Sequence, residues 1–547
     1  MKYLNFLLLA LIFFACKKES DIIVTNSSEF IRLSTDTVMF NTVFNTSIEN
    51  DVSPTRYFKI YNNNEFDINI DAIYLKMQAS SSYRLNVDGE PGHIINNTLL
   101  RQNDSLYIFT NVINKPQEDN EFILEDEIIF SYSGSKQEVK LLATAKNACY
   151  YSGIPDYQQD SETTYLNCGS GKIDSILYCD SRFFDCEDEN FPEDLKQKYF
   201  KYFSISQDTD WNSIKPHIIM GNLIVENGAT LSINPGANIH LHNNAWIIVD
   251  SLSSIKANGG KEEENRIWIQ SHRSDNHSII NYNVTPGQWG RIWMSPGSQD
   301  NLFNWTIMKN GKVGIHIDGK NEIDQLQNTP LLTISNSIIY NMSDIGILAQ
   351  GSVVNAYNLL VFNCGTSLLN LNFGGNYDFR HCTFANFWPF SSRQTPSVFI
   401  NNYYEDINSN IQYQDLTKAF FGNCIIDGNN ENEIMFDKSN NDEFEFNYQI
   451  SNCVLKIDND YWDTWTNISS ENNILNPENN FVDPELFNFY LDTNSQAVNN
   501  GSLEIITNHN NLYNTNVLNC DLENRGRTTD EGPDIGCFEL NGLGCTY

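Results

Sequence analysis

Four short stretches constrain this chain more than any other feature: "NWTIMKN" (304–310), "NSIIYN" (336–341), "NLLVFN" (358–363) and "RHCTFAN" (380–386). Superposed, they place Thr306, Ser337, Leu359 and Cys382 in one column and Met308, Ile339, Val361 and Phe384 in a second, two residues on. Asn310, Asn341, Asn363 and Asn386 each stand four positions after the first column. The steps from Ser337 to Leu359 and from Leu359 to Cys382 are 22 and 23 residues. Side chains alternate across a strand, so residues two apart mark one inward face. A recurrence of this length is the period of a right-handed parallel β-helix, whose inward residues stack coil upon coil.

The fixed asparagines predict a ladder at a tight turn, because Asn tolerates left-handed backbone and its amide can bond the amide of the next coil. Plain abundance of Asn is the alternative, and the constant offset favours the ladder. The same architecture is visible upstream in "ENGATLSINPGANIHLHNN" (226–244). Leu223 and Val225, Leu231 and Ile233, then Ile239 and Leu241 form alternating pairs, continued by Ile247 and Val249, Ile255 and Ala257, Ile267 and Ile269. Three pairs and a return describe a three-sided coil. Extending the column reaches Cys424 with Ile426 and Cys453 with Leu455, which makes Cys382, Cys424 and Cys453 inward thiols, small and apolar, rather than ligands or nucleophiles.

Residues 30–147 read differently. Runs such as "RYFKIYN", "FDINIDAIYL" and "QEVKLLATA" alternate at period two between Asn, Asp, Gly and Ser turns, the pattern of an Ig-like β-sandwich without the cysteine pair and core Trp of antibody domains. The fold class is therefore all-β: an N-terminal Ig-like β-sandwich followed by a right-handed parallel β-helix (216–475) and a terminal β-helix cap segment (476–547). Between them, 148–215 reads as a cysteine-bearing connector. Its Phe191, Leu195, Tyr199 and Phe203 recur once per turn and predict a short amphipathic helix.

The start, "MKYLNFLLLALIFFACKKESD", has one Lys, a short apolar run and a small residue before Cys16. It resembles a bacterial lipoprotein signal, and that resemblance implies removal of residues 1–15, acylation of Cys16, and a flexible tether over 16–29. An ordinary secretory leader is the competing reading. Acylation would bind the chain to a lipid bilayer without spanning it, and no other segment offers about 18 uninterrupted apolar residues. An oxidising compartment follows, where cysteines pair. Cys149, Cys168, Cys179 and Cys186 are candidates for two disulfides in the irregular connector, and Cys520, Cys537 and Cys545 for one more. A zinc site at Cys179 and Cys186 fits no finger spacing.

Asp and Glu outnumber Lys and Arg by 69 to 34, a net charge of −35. That balance argues against nucleic acid as a partner, since phosphate binding needs a basic surface. "KPHIIMGNLIVENGATLSINPGANIHLHNNAWIIVD", "PGQWGRIWMSPGSQDNLFNWTIMKNGKVGIHID", "NFGGNYDFRHCTFANF" and the closing "RGRTTDEGPDIGCFEL" resemble the right-handed β-helix lipoproteins of the bacterial outer envelope, a pectate-lyase-like fold. "YRLNVDGEPG" with "DSLYIFTNV" resembles Ig-like modules of outer-membrane lipoproteins. The resemblance implies an outer-membrane location. "KKESD" after Cys16 resembles signals that send lipoproteins to the cell surface.

Chemistry is sparse. No adjacent Asp pair occurs, and neither the Asp-rich calcium triplet nor the paired-Arg motif of pectate-lyase-like enzymes is present. The sequence names no catalytic residue, metal or cofactor. Contact candidates are His240, Trp268 and His316, expected to point outward on one face, where stacked aromatics could receive a sugar ring or apolar partner. The loop "HRSDNHSIINYNVTPGQWG" is expected to fold over that face. Tyr403, Tyr404, Trp462 and Trp465 lie in insertions and are candidates for exposed contacts. The expected function is a non-catalytic binding scaffold or subunit of an outer-membrane protein complex, such as β-barrel assembly or transport machinery. The alternative is a surface polysaccharide lyase or hydrolase, or a glycan-binding adhesin.

Overall fold

The computed structural model describes residues 23–24, 31–44, 53–113, 121–153, 168, 171–177, 196, 198–274, 280–319, 330–406, 409–465, 472–513 and 515–545. The chain forms two compact units, 1–146 and 147–547.

In the first unit two sheets enclose a common core. One joins Asp67–Leu75, Ile94–Leu100, Glu121–Tyr132, Ser135–Lys146 and Thr37–Phe44; the other joins Arg32–Leu33, Arg56–Tyr61, Ser105–Val112, Tyr83–Val87 and Glu90–Pro91. Alternation does the work: Phe58 and Ile60 from one sheet and Ile128, Phe130 and Leu141 from the other are fully or nearly buried in one cluster. Tyr83 is buried among them and donates its hydroxyl to the Leu124 carbonyl at 2.8 Å, which satisfies the one polar atom it brings inside.

The second unit is a parallel β-helix with three faces, here named A, B and C. Face C stacks Tyr199–Ile205, Asn222–Val225, Trp246–Val249, Ile292–Met294, Val313–Asp318, Ile345–Gln350, Ser367–Asn372, Val398–Asn401 and Ile434–Asp437. Face A includes Asn238–Leu241, Ile267–Ser271, Thr306–Lys309, Thr383–Asn386 and Ile425–Gly428. Face B includes Thr230–Ile233, Ser254–Asn258, Asn301–Asn304, Gly375–Arg380 and Leu416–Gly422. Leu332–Tyr340 and Val353–Phe362 run through the corner from B to A.

The interior columns are continuous. On face A, Ile239, Ile269, Met308, Ile339, Val361, Phe384, Ile426 and Leu455 are successive partners, all fully buried. Thr306, Ser337, Leu359, Cys382, Cys424 and Cys453 form the neighbouring column, also fully buried. Each large apolar side chain so placed contributes roughly 1.5–3 kcal/mol. The thiols point into this stack, and burial pushes Cys382 and Cys453 far above the ordinary thiol range, so they serve as apolar filler.

The asparagine ladder exists, but its best-formed part is not where the sequence pointed. Asn310, Asn341 and Asn363 take left-handed φ of 67°, 58° and 50°. Of these only Asn341 donates to a neighbouring amide, Asn310 Oδ1 at 2.7 Å. Asn363 and Asn386 bond backbone groups instead. A second ladder stands at the A–B corner: Asn336 Nδ2 donates to Asn304 Oδ1 (2.9 Å) and Asn358 Nδ2 to Asn336 Oδ1 (3.0 Å). His381 occupies the next rung and pairs with Asn423 at 2.9 Å. Their left-handed φ values, 46° to 54° from Asn336 to Asn423, turn the corner, within continuous strands at Asn336 and Asn358 and between separate strands at His381 and Asn423.

Three expectations change. The helix predicted over 191–203 is, from Tyr199 to Ile205, a strand on face C; Phe203 and Ile205 point inward opposite Leu223 and Val225. Phe191 and Leu195 lie outside the described residues. Cys149–Ser152, within the segment read as a connector, already pairs in parallel with His217–Met220, so coiling begins earlier. The segment 476–545 runs along the outside of the helix: Phe481, Phe489, Leu522, Ile535 and Cys537 pack on Leu360, Phe362, Ala385, Ile425 and Val454 of face A. Leu503–Tyr513 lies against face B, where Arg380 donates to the Ile505 carbonyl at 3.1 Å and His509 meets Tyr357 edge-on.

The closing "RGRTTDEGPDIGCFEL" fastens this clamp. Fully buried Arg527 bonds Glu539 and donates to Asn358 Oδ1 at 2.8 Å, the end of the second ladder. Gly536, at φ 101°, lies so close to the helix that a Cβ would stand 2.8 Å from Ile425 Cδ1.

Candidate functional site

His240, Trp268 and His316 do not share a face. His240 and Trp268 lie on face A, with Trp268 opposite Asn238 and His240 opposite Gln270. His316 lies on face C opposite Trp293. The excursion at 272–290 displaces the repeat, so counting pairs forward assigns Val313–Asp318 to the wrong side. His240 is buried, with Nδ1 3.0 Å from the Ser271 carbonyl. On face C, His316 is fixed from both ends: Nδ1 is 3.2 Å from Arg291 Nη1 and Nε2 2.9 Å from Asp318 Oδ1, while the ring stacks on Trp293 at 5.6 Å. Trp293 Nε1 donates to Asp318 Oδ2 at 2.8 Å. Burial pulls Arg291 below the usual guanidinium range. This network orders the side chains around His316.

Tyr403 donates to Asp437 Oδ2 at 2.9 Å, and Tyr404, 47% exposed, stands edge-on to Phe373. They occupy the hairpin Tyr403–Glu405 with Ile411–Tyr413 beside face C. Trp462 and Trp465 are not exposed contacts. Their helix, Asn459–Trp465, packs on the core, with Trp462 buried and Trp465 against Phe436 and Tyr448. Cys149 bonds Cys168 and Cys520 bonds Cys545, whereas Cys537 is a buried free thiol beneath the clamp. Cys16, Cys179 and Cys186 lie outside the described residues.

The contact candidate that the structure builds into a pocket is Trp268. Where the C-terminal segment stops covering face A, half-buried Trp268 and its register partner Ile307 form a floor. The turn 261–266 makes one side and Glu523 with Asn524 the other of a half-open groove of about 430 Å³, inside the roughly 300–1,000 Å³ common for small-ligand sites. Arg266 joins the walls through Glu523 at 3.5 Å. Arg266, Glu523 and Asn524 were not visible as site residues in the sequence, since 257 positions separate Arg266 from Glu523. The loop expected to cover this face does so at its edge and the adjoining corner, without closing over Trp268: Lys309 and Asn310 donate to carbonyl oxygens of Asn283, and Asn341 to that of Val284.

Elsewhere three buried arginines are already paired, Arg380 with Asp378, Arg393 with Glu433 and Arg527 with Glu539, and part-exposed Lys418 also reaches Asp378. The two cations hold the Asp378 carboxyl below its usual range against the cost of its burial. Burial pushes Glu433 up and Glu539 up to about 7, partly offset by their arginines. Among the described residues, no group of three or more His, Cys, Asp and Glu is placed to hold a metal ion, and no helix is long and apolar enough to cross a membrane. Compared with known proteins, the chain matches no family model and no curated relative.

Proposed function

We propose that this chain is a non-catalytic binding scaffold: a lipoprotein acylated at Cys16, held on the outer membrane facing the exterior, with an Ig-like module preceding the β-helix, and serving as a subunit of an outer-membrane protein complex. The observation that supports it is the division of labour on the β-helix surface. Inside the β-helix unit Arg380, Arg393 and Arg527 are consumed in structural pairs, while face C presents half-buried Leu348 and Phe399 and exposed Met435 in one outward column. Asn370 stands in the same column between Leu348 and Phe399, and its buried amide oxygen and that of Asn372 have no hydrogen-bond partner. A rigid, mainly apolar column interrupted by an unspent acceptor suits a protein neighbour bringing apolar residues and donors. Tethering both partners to one membrane raises their effective concentration and lets a modest contact suffice.

The test is capture of the tagged, full-length chain from detergent extracts. A stoichiometric membrane protein, lost on Phe399→Asp, is the expected result. Recovery of the chain alone, or turnover of a polysaccharide by it, refutes the reading. A second reading, glycan retention, is favoured by the pocket at Trp268.

A further inference from the structure

We infer that the pocket at Trp268 is a subsite for a neutral sugar ring. The inference rests on the reading of the chain as a binding scaffold and adds to it a ligand class on a different face from the protein-binding strip.

Three observations converge. First, the lining includes a half-buried indole, Trp268, beside the buried side chain of Ile307, an aromatic of the kind that receives the C–H face of a pyranose. Second, the walls hold two buried polar atoms without partners and of opposite character: Arg266 Nε is a donor and Asn524 Oδ1 an acceptor. An orphaned buried polar atom is costly, and an added group with the complementary hydrogen-bonding atom would relieve each. A sugar hydroxyl donates and accepts at once, and adjacent hydroxyls on one ring answer both. Third, the charge selects against ions. The lining carries Lys261 and Arg266 against Glu262, Glu263 and Glu523, an excess of one negative charge on a chain already at −35, which disfavours a uronate. Lys309 Nζ lies 5.7 Å from the Trp268 ring centre, a positive charge already beside the indole that disfavours a cationic ligand there.

The experiment is saturation-transfer NMR on the full-length chain in detergent, with maltohexaose, cellohexaose and xylohexaose as neutral probes and trigalacturonate and tetramethylammonium as charged ones. The expected result is saturation of ring protons in at least one neutral oligomer and of neither charged probe. Trp268→Ala should weaken binding about tenfold, and Trp268→Tyr, which keeps a platform, should retain most of it. Asn524→Gly tests the wall independently of the floor, because glycine accepts the left-handed φ of 64° found there; it should weaken binding severalfold. Saturation of no neutral oligomer, tighter binding of a charged probe, or indifference to both Trp268→Ala and Asn524→Gly overturns the proposal. Partner capture by Trp268→Ala separates the two readings: if it persists while no sugar binds, only the subsite falls, and if no partner is captured while sugar binds, only the complex falls.

Discussion

Faces A and C carry similar outward residues and meet different fates. On face A, outward Leu360 is 4% exposed, sealed with Phe362 and Ile425 beneath the segment that follows residue 480. On face C, one strand earlier, outward Leu348 stays half-buried, in line with Phe399 and Met435. Both are leucines on parallel strands of one helix, so strand propensity cannot explain the difference. What distinguishes them is the corner. The A–B corner offers the side-chain ladder, and its rungs reach the clamp: Asn358 binds the Cys520 carbonyl and Arg527, His381 meets the Gly536 carbonyl, and Asn423 takes the Ser502 carbonyl. The ladder that holds successive coils together is also the rail on which the chain's own end is seated.

The strongest test of this difference is Arg527→Ala. It strands Glu539 and Asp534 in the interior without their cation, leaves Asp521 with Arg525 alone, and cuts the bond to Asn358. Breaking a buried pair in this way costs about 3–5 kcal/mol. Urea unfolding should show that loss together with new accessibility of the Cys537 thiol, buried in the native clamp; an unchanged midpoint would mean the clamp carries no stability.

Next in size is a matched pair. Leu360→Ala, under the clamp, should cost about 2–5 kcal/mol, whereas Leu348→Ala on face C should cost less than about 1 kcal/mol. Equal losses would show that face C is as closed as face A and would remove the surface assigned to partners.

Titration sharpens the same contrast from the clamp's side. Burial raises Glu539 from 4.5 to about 7, so the folded state holds its proton more tightly than the unfolded chain. Its contribution is complete below about pH 4.5 and is lost as pH rises through 7, at most about 3 kcal/mol. His509 in the face B helix works the opposite way: burial lowers it to about 4, so its contribution is complete above pH 6.5 and is lost as pH falls through 4. Comparing Glu539→Gln with the native chain isolates the first effect. The variant should gain relative stability between pH 4.5 and 7.5, and a pH-independent difference would place the proton elsewhere in the cluster.

The contrast also shows what a sequence of this kind can reveal. The interior was legible because two local periods coincide there: alternation along each strand, and the 22- and 23-residue steps that stack Ser337, Leu359 and Cys382. Legibility failed where an excursion broke the count, as at 272–290, which moved His316 to face C. It failed also where a once-per-turn aromatic pattern imitated a helix, at Tyr199 and Phe203, although tertiary pairing with Asn222–Val225 holds them as strand. The second ladder was in view, since each of the repeats "NSIIYN" and "NLLVFN" begins with Asn as well as ending with it. Only its geometry shows that the first Asn is the better-bonded one. The Trp268 pocket was beyond reach, because a wall contributed from 257 residues away leaves no local signal.

The smallest effect on stability should accompany the largest on function. Phe399 is half-buried and outward, between Asn370 and Met435 in register. Replacing it with Asp removes little packing and leaves the new carboxylate in water, so the melting temperature should move by no more than a degree or two, as for surface changes within about 0.5 kcal/mol. In a complex, the same carboxylate would lie against apolar surface without a counter-charge, and burying it there costs several kcal/mol. Partner capture should therefore collapse while folding does not. The face A counterpart, Phe362→Asp, should do the reverse: Phe362 is 6% exposed and packs on Phe489 at 4.7 Å and Tyr340 at 4.7 Å, so the charge would be trapped beneath the clamp and the fold itself would pay. If both variants lose stability alike, face C belongs to the core and the partner must be sought on another surface.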